Sequence, residues 1–370
     1  MPSIIDSGLR TQDSGLRTQD SGLRTNYALL KYYSYNIGDE IQSVATRAFL
    51  PHVDYYVYRE HRNNFSPAID GKVKMIMNAW YMQNVYNFPP SDTIEPLLIS
   101  MHFNSKMQNA ISKSKRYREY LTKNGPVGCR DKFTMEFLLT HNIPAYFSGC
   151  MTTTLQANEK LRALPHEKYI LCVNVSDDVV NYVRNKTDKP VYKITKYVTS
   201  FLESKDRFEV AKMFLFLYHN ASAVITTNLH TSLPCLAFNT PVCLIDQNFR
   251  GGRFGGISEW INYCSCHEFL NGNFYDIDNP PENPKTFLPF RNKLIETCRN
   301  FTGFYDDSPT LPDNYKPDIF SIVSMMAVNA RKNRRVICKL GASEIIKMFF
   351  RKSLHKIFPR IFKNIVNPDY

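Results

Sequence analysis

The stretch from Ala223 to Asp246, AVITTNLHTSLPCLAFNTPVCLID, sets a single histidine in a polar Thr-Thr-Asn-Leu-His corner between two apolar runs that read as buried strands. If the strand ends at Thr226 and Thr227 and a helix starts near Thr231 or Ser232, either of which can cap it, then Asn228, Leu229 and His230 occupy the turn. That turn faces the positive end of a helix, where anions bind. An imidazole changes charge near neutral pH, so His230 could pass protons to or from such an anion. The competing reading is a histidine that hydrogen-bonds the backbone of its own turn, and spacing does not choose between the two.

Other polar residues fall where strands should end. The turn NIGDE sets Asn36, Asp39 and Gln42 at a helix start, and His102 follows an apolar run. Asp39 suits a hydroxyl-binding carboxylate or base, and suits an N-cap equally. His102 reads as a ligand contact or as a satisfied strand-end histidine. The glycine-rich RGGRFGG (250–256), with Arg250 and Arg253, is either a backbone nest for phosphate or a surface loop. CSCH (264–267) has no second Cys or His pair at zinc spacing, so no metal is expected. Neither GxGxxG after a first strand nor GxxxxGK[ST] occurs, which removes dinucleotide and P-loop sites from consideration.

The elements that must position these residues alternate. YALLKYYSY (27–35) reads as a strand, followed by a Gly-Asp turn and the helical pattern EIQSVATRAFL; VKMIMNAWY (73–81) and PLLISMHF (96–103) read as further strands, and a helix is expected near 106–123. GPVGCRDKFTMEFLLTHN adds a short strand, the pair Arg130-Asp131 and a helix. A second series runs through KYILCVNVS (168–176), VYKITKYV (191–198), the helix RFEVAKMFLFLYHNAS and the quoted corner. The expected class is therefore α/β, with a Rossmann-like domain over 27–155, a second over 168–330, and a polar linker at Thr154–Glu167. Ligands of such sheets lie beyond the carboxyl ends of the strands.

The chain has 370 residues with a formal net charge of +12. From Arg331 to Tyr370 there are eleven Lys/Arg against Glu344 and Asp369, so most of the excess sits at one end and a nucleic-acid partner is not expected. Within that tail Ile346, Phe350, Leu354, Ile357, Ile361 and Ile365 form a stripe ringed by cations. This reads as a basic amphipathic helix over 331–370 that associates with an anionic membrane surface, or as a helix packed across both domains. No apolar run approaches the ~18 residues of a membrane span. Nine scattered cysteines and no signal-like apolar core suggest reduced thiols in the cytoplasm. Residues 1–26 hold three copies of a DSGLRTQ-like heptad too poor in apolar residues to fold alone, a disordered arm or a docking arm.

The segments YNIGDEIQSVATRAFLP, VGCRDKFTMEFLLTHNIPAYFSGCMTTTL and AVITTNLHTSLPCLAFNTPVCLI, in this order, resemble the polysaccharide pyruvyltransferase family over about Tyr32 to Asp246. The resemblance implies a GT-B-like fold, two Rossmann-like domains facing a central cleft. It implies transfer of an enolpyruvyl unit from phosphoenolpyruvate onto two hydroxyls of one sugar, with no cofactor. The family's Arg-Asp pair falls on Arg130 and Asp131, and its Arg-Leu-His triplet on Asn228, Leu229 and His230. Asn228 replaces an arginine, so a charge-assisted, bidentate contact to the donor is lost; Lys193, Lys196, Arg250 or Arg253 could supply the charge. On this reading His230 and Asp39 are catalytic; Arg130, Asn228, Leu229 and Arg253 bind the donor; and Asn36, Gln42 and His102 bind the acceptor. The acceptor would be a galactose-like sugar on a polyprenyl-diphosphate-linked capsule or exopolysaccharide unit, met at the inner face of the cell membrane. The alternatives are a GT-B glycosyltransferase with a nucleotide-sugar donor and a non-catalytic glycan-binding relative.

Overall fold

In a computed structural model, the residues described are 24–68, 71–163, 168–196, 204–246, 255–272, 274–304 and 306–318. The strands are β1 (Asn26–Lys31), β2 (Tyr55–Tyr58), β3 (Val73–Met77), β4 (Trp80–Tyr81), β5 (Ile94–Leu98), β6 (His102–Phe103), β7 (Val127–Cys129), β8 (Ala145–Phe147), β9 (Ile170–Val173), β10 (Val191–Ile194), β11 (Ala223–Thr226), β12 (Val242–Asp246) and β13 (Asn262–Ser265). Between them lie α1 (Gly38–Arg47), α2 (Ser105–Lys113), α3 (Lys115–Lys123), α4 (Lys132–Thr140), α5 (Glu159–Ala163), α6 (Asp177–Arg184), α7 (Ser204–Asn220) and α8 (Leu229–Ala237), with α9 (Cys266–Leu270) and α10 (Leu288–Thr302) after β13.

Every pairing is parallel, which explains why the central strands read as unbroken apolar runs rather than alternating ones. In the first sheet the order is β2-β1-β3-β5, with Ala28 opposite both Tyr55 and Met75. In the second it is β10-β9-β11-β12-β13, and all four residues of β9 and of β11 are buried. The second order is the 2-1-3-4-5 winding of doubly wound sheets, whose ligands sit where the order reverses, here beyond the carboxyl ends of β9 and β11. The α/β class with parallel Rossmann-like sheets expected from the sequence is borne out.

The chain divides into two compact units: 24–32, 46–148 and 293–306 surround the first sheet, and 33–45, 149–292 and 307–318 the second. The loop 33–37 and the first part of α1 thus group with the second sheet, although the sequence reading placed them with the first. Three expected elements are broken. Residues 73–81 split at Asn78, whose Oδ1 accepts from the Thr46 hydroxyl at 2.8 Å. Residues 96–103 split at Ser100, which takes φ 57° and donates its amide to Ser148 Oγ at 3.1 Å. The helix near 106–123 is two helices meeting at Ser114, whose hydroxyl caps α3 through the Tyr117 amide. Residues 154–163 are no open linker, since Thr154 and Asn158 are buried and α5 follows. The N-terminal repeat and the basic tail lie outside the described residues.

Candidate functional site

The corner at the end of β11 is tied to the end of β9. Thr226 Oγ1 donates to the Val173 carbonyl at 3.1 Å and Thr227 Oγ1 to the Asn174 carbonyl at 3.0 Å. Asn174, at φ 56°, accepts the Lys196 amide on its Oδ1 at 3.0 Å. Three strand ends are thereby stitched around the reversal point of the sheet.

Helix α8 begins at Leu229, earlier than the sequence suggested, and neither Thr231 nor Ser232 caps it. Asn228 holds the cap position through its backbone: its carbonyl accepts from the Thr231 and Ser232 amides at 3.1 and 3.0 Å. Its side chain makes no cap bond, and its Nδ2 donates to Thr227 Oγ1 at 3.1 Å. His230, 6% exposed, has φ −79° and ψ 18°, off the helical values, because the first turn is tightened by the Thr231-to-Asn228 bond. Leu229 is buried beside it.

The start of α1 packs on this histidine. A Cβ placed on Gly38 would lie 2.8 Å from His230 Cβ and 2.9 Å from its Nδ1, and 3.0 Å from Asn36 Oδ1. Only the bare backbone of glycine fits there. Asn36 Oδ1 accepts the Gly38 amide at 3.0 Å and its carbonyl accepts the Asp39 amide at 3.1 Å, so Asn36 opens the helix and Asp39 is no N-cap. Asp39 Oδ2 instead accepts from the Ser34 hydroxyl at 2.7 Å. Gln42 is fully buried farther along α1. Two helix starts therefore converge on His230, each bringing the positive end of its dipole. Substituting Gly38 by Ala should lower the melting temperature even though Ala is the better helix former by up to about 1 kcal/mol, because overpacking against a fixed Cβ costs about 1–3 kcal/mol. Calorimetry of that variant checks it; a raised melting temperature would mean that the contact relaxes freely.

Behind this loop is a buried ion pair that the sequence did not suggest. Arg207 on α7 donates from Nε to Glu40 Oε1 at 2.5 Å and from Nη2 to the Ser34 carbonyl at 2.6 Å; Arg207 is 1% and Glu40 2% exposed. Burial pushes the Glu40 carboxyl up to about 7, against the opposing hydrogen bond and charge of Arg207, with Asp39 adding to the rise. The two residues stand 167 positions apart, so no local pattern announces them.

Arg130 and His102 belong to the other unit. His102 Nδ1 donates to Asp131 Oδ2 at 2.6 Å, and Asp131 Oδ1 accepts the Thr134 amide at 2.9 Å as the cap of α4. Burial works to raise the Asp131 carboxyl, but the His102 hydrogen bond, the Arg130 charge and the Thr134 amide hold it below its ordinary value. Asp131 is thus a carboxylate that holds the proton of His102 on Nδ1 and so fixes the tautomer of the ring. Arg130, 2% exposed, has its Nε 3.6 Å from Asp131 Oδ2, while Nε and Nη2 make no hydrogen bond. A buried guanidinium with unused donors is suited to an oxyanion. Trp80 stands directly opposite His102 in the β4–β6 pairing, a neighbour the sequence reading passed over.

The structure therefore brings Gly38, with Asn36 beside it, to His230, and His102 to Asp131 next to Arg130, while Asp39 is held by Ser34; Asn36, Asp39 and Gln42 group with one unit and His102 with the other. Of the cations considered in place of an arginine at 228, Lys193 is bound to Asp177 at 2.6 Å and Lys196 is buried, whereas Arg250 and Arg253 lie outside the described residues. Among the described residues no group of three or more His, Cys, Asp or Glu is placed to hold a metal ion.

Two parallel α/β units with polar corners at their strand ends define the general class, and comparison with known proteins narrows it. Residues 109–248 match the model of the polysaccharide pyruvyl transferase family, a match that supports a transferase. The match takes in Arg130, Asp131 and the 228–230 corner. The comparison with curated proteins found no match. Among solved structures, an uncharacterized Klebsiella pneumoniae protein is similar at 12% identity over 65% of this chain and 92% of that one, with a TM-score of 0.39. Staphylococcus aureus MnaA, solved with UDP, is similar at 9% identity over 77% and 99%, TM-score 0.39. The UDP-GlcNAc 2-epimerase of Methanocaldococcus jannaschii is similar at 12% identity over 79% and 95%, TM-score 0.34. Scores this low carry no argument about this chain.

Proposed function

We infer that the chain is a ketal pyruvyltransferase that moves the enolpyruvyl group of phosphoenolpyruvate onto two hydroxyls of one sugar in a glycan. The observation that carries this is the place of His230: a buried imidazole at the reversal point of a doubly wound sheet, between two helix starts, inside the segment that matches the family. In the reaction the methylene carbon of phosphoenolpyruvate takes a proton and becomes a methyl group, as C2 forms a bond to the first sugar oxygen. The second sugar oxygen then displaces phosphate from C2, and both hydroxyl protons are accounted for in the methyl group and the released phosphate. His230 is the proton carrier, Asp39 the group that holds or deprotonates an acceptor hydroxyl, and Arg130 the partner of the donor's carboxylate or phosphate. His102, oriented by Asp131, contributes to acceptor binding together with Asn36 and Gln42.

The test mixes purified protein with phosphoenolpyruvate and a galactose-bearing, polyprenyl-diphosphate-linked glycan, and weighs the product. A gain of one pyruvate less one water supports the reading. A gain of one hexose when a sugar nucleotide is supplied points to a glycosyltransferase, and no change in either case to a glycan-binding protein.

At position 228 the amide offers hydrogen bonds without charge. If it touches the donor, Asn228→Arg should lower the Michaelis constant for phosphoenolpyruvate about tenfold or more, the scale of one added charge-assisted hydrogen bond. An unchanged constant would place residue 228 away from the donor.

No helix among the described residues is long and apolar enough to cross a membrane. The cationic tail after Arg331 is read as the contact with the anionic inner face of the cell membrane, where a lipid-linked acceptor would be met. Full-length protein should sediment with vesicles containing anionic lipid at low salt and be partly released at high salt, since the Coulomb part is screened. A chain ending near Leu340 should stay in solution, keep activity on a short water-soluble acceptor and lose it on the lipid-linked one. Unfolding or aggregation of the truncated chain would make the tail a packed helix instead.

A further inference from the structure

The first unit contains a buried cation that nothing in the function above uses. Arg62, in the 3-10 segment Arg59–Asn64, has no exposed surface. Its guanidinium lies 4.6 Å from the ring centre of Tyr81 and its Nη2 makes one weak contact, 3.6 Å from Met82 Sδ. Its Nε and Nη1 have no hydrogen-bond partner, and neither do the buried hydroxyls of Tyr81 and Tyr120. The acid closest in sequence is committed elsewhere: Glu60 gives Oε1 to Arg59 Nε at 2.8 Å and Oε2 to the Asn84 amide at 2.9 Å.

Leaving a guanidinium in the interior without a counter-charge is destabilising by several kcal/mol, and each unmatched buried donor adds to that. The phenols do not supply the charge. Burial pushes the Tyr81 hydroxyl up to about 12, and it also raises Tyr120, which lies within the field of Arg62; both remain neutral donors at physiological pH. The surroundings are apolar, with Tyr81, Met82 and Phe88 in the core of this unit and Phe88 set edge-on to Tyr120 at 5.3 Å. Positive charge, four unused donors and no anionic acceptor together describe the lining of an anion site. A tetrahedral oxyanion has more acceptor positions than these groups can fill, whereas one spherical centre suits them.

We propose that Arg62, Tyr81 and Tyr120 enclose a structural site for a monatomic anion of the chloride class, separate from the His230 and Arg130 clusters. The anion neutralises the guanidinium and accepts its N–H groups and the two hydroxyls, stabilising the corner where the 3-10 segment, β4 and α3 meet.

The test unfolds the full chain in urea and refolds it in sodium gluconate, sodium chloride or sodium bromide at equal ionic strength. Mass action predicts a melting temperature higher in halide than in gluconate, by on the order of 5 °C at a hundredfold excess over half-saturation, and no such difference in Arg62→Met. Crystals of the bromide-refolded protein should show anomalous scattering within hydrogen-bond distance of the Arg62 guanidinium. Equal melting temperatures in the three salts overturn the proposal, as do ordered waters in place of a bromide peak. If Arg62→Met does not fold, the wild-type salt series and the bromide map decide together.

Discussion

Replacing His230 with Ala should lower turnover by ~10²-fold or more while leaving the fold intact, the size of effect seen when a positioned acid-base group is removed. The fold should survive because the imidazole, although buried, sits at the start of α8 rather than in an apolar cluster, and the strand-end stitching by Thr226 and Thr227 does not pass through it. The Michaelis constant for the donor should change less than turnover, since anion binding at this corner draws on two helix starts as well as on the side chain. Circular dichroism and the thermal midpoint separate loss of structure from loss of chemistry. A His230→Ala enzyme with near wild-type turnover would remove the histidine from the mechanism. The site would then have to be sought at His102, where Asp131 already holds Nδ1 at 2.6 Å.

How far the sequence led depended on how local each determinant was. The parallel sheets were legible because runs such as ILCV and VCLI are apolar throughout, as a strand buried on both faces requires. The polar corner at 226–230 was legible for the same reason, as a break between two such runs. Breaks decided by a distant side chain were not. The chain leaves β3 at Asn78 because Thr46 reaches it, and leaves β5 near Ser100 because Ser148 does. The approach of the Asn36–Gly38 turn to His230 depends on the absence of a side chain at Gly38, which reads in sequence as an ordinary turn glycine. The charge on Asp131 and the role it gives His102 come from a contact spanning 29 residues. Sequence reading found the polar residues at strand ends, and only packing determined which of them meet.

The Arg207–Glu40 pair is the second place where one substitution should have a large effect, and here the measurement is stability. Arg207→Met keeps most of the buried volume and removes the guanidinium, leaving Glu40 with its main counter-charge gone; breaking a buried pair in this way destabilises by about 3–5 kcal/mol. The loss should depend on pH. Glu40 has a folded value of about 7 against an ordinary 4.5, so the native state holds its proton more tightly than the unfolded chain does. The stability associated with that proton is fully present below about 4.5 and is lost as pH rises through about 7. Arg207 is the chief influence opposing the rise, so its removal moves the carboxyl further up and widens the gap between folded and unfolded values. The deficit of the variant should therefore be smaller at pH 5, where Glu40 is protonated and uncharged in both, and larger at pH 8 by about 1.4 kcal/mol, the linkage over the one pH unit above the wild-type value of about 7. Adding Glu40→Gln to Arg207→Met should recover most of the loss at pH 8, because a neutral amide needs no counter-charge. Urea unfolding midpoints of the three proteins at the two pH values decide the matter. A deficit equal at pH 5 and pH 8, and untouched by Glu40→Gln, would mean that Arg207 matters through its bond to the Ser34 carbonyl. In that case the arginine is a brace for the loop that presents Asp39, whose Oδ2 takes the Ser34 hydroxyl, and its loss should appear in turnover as well as in stability.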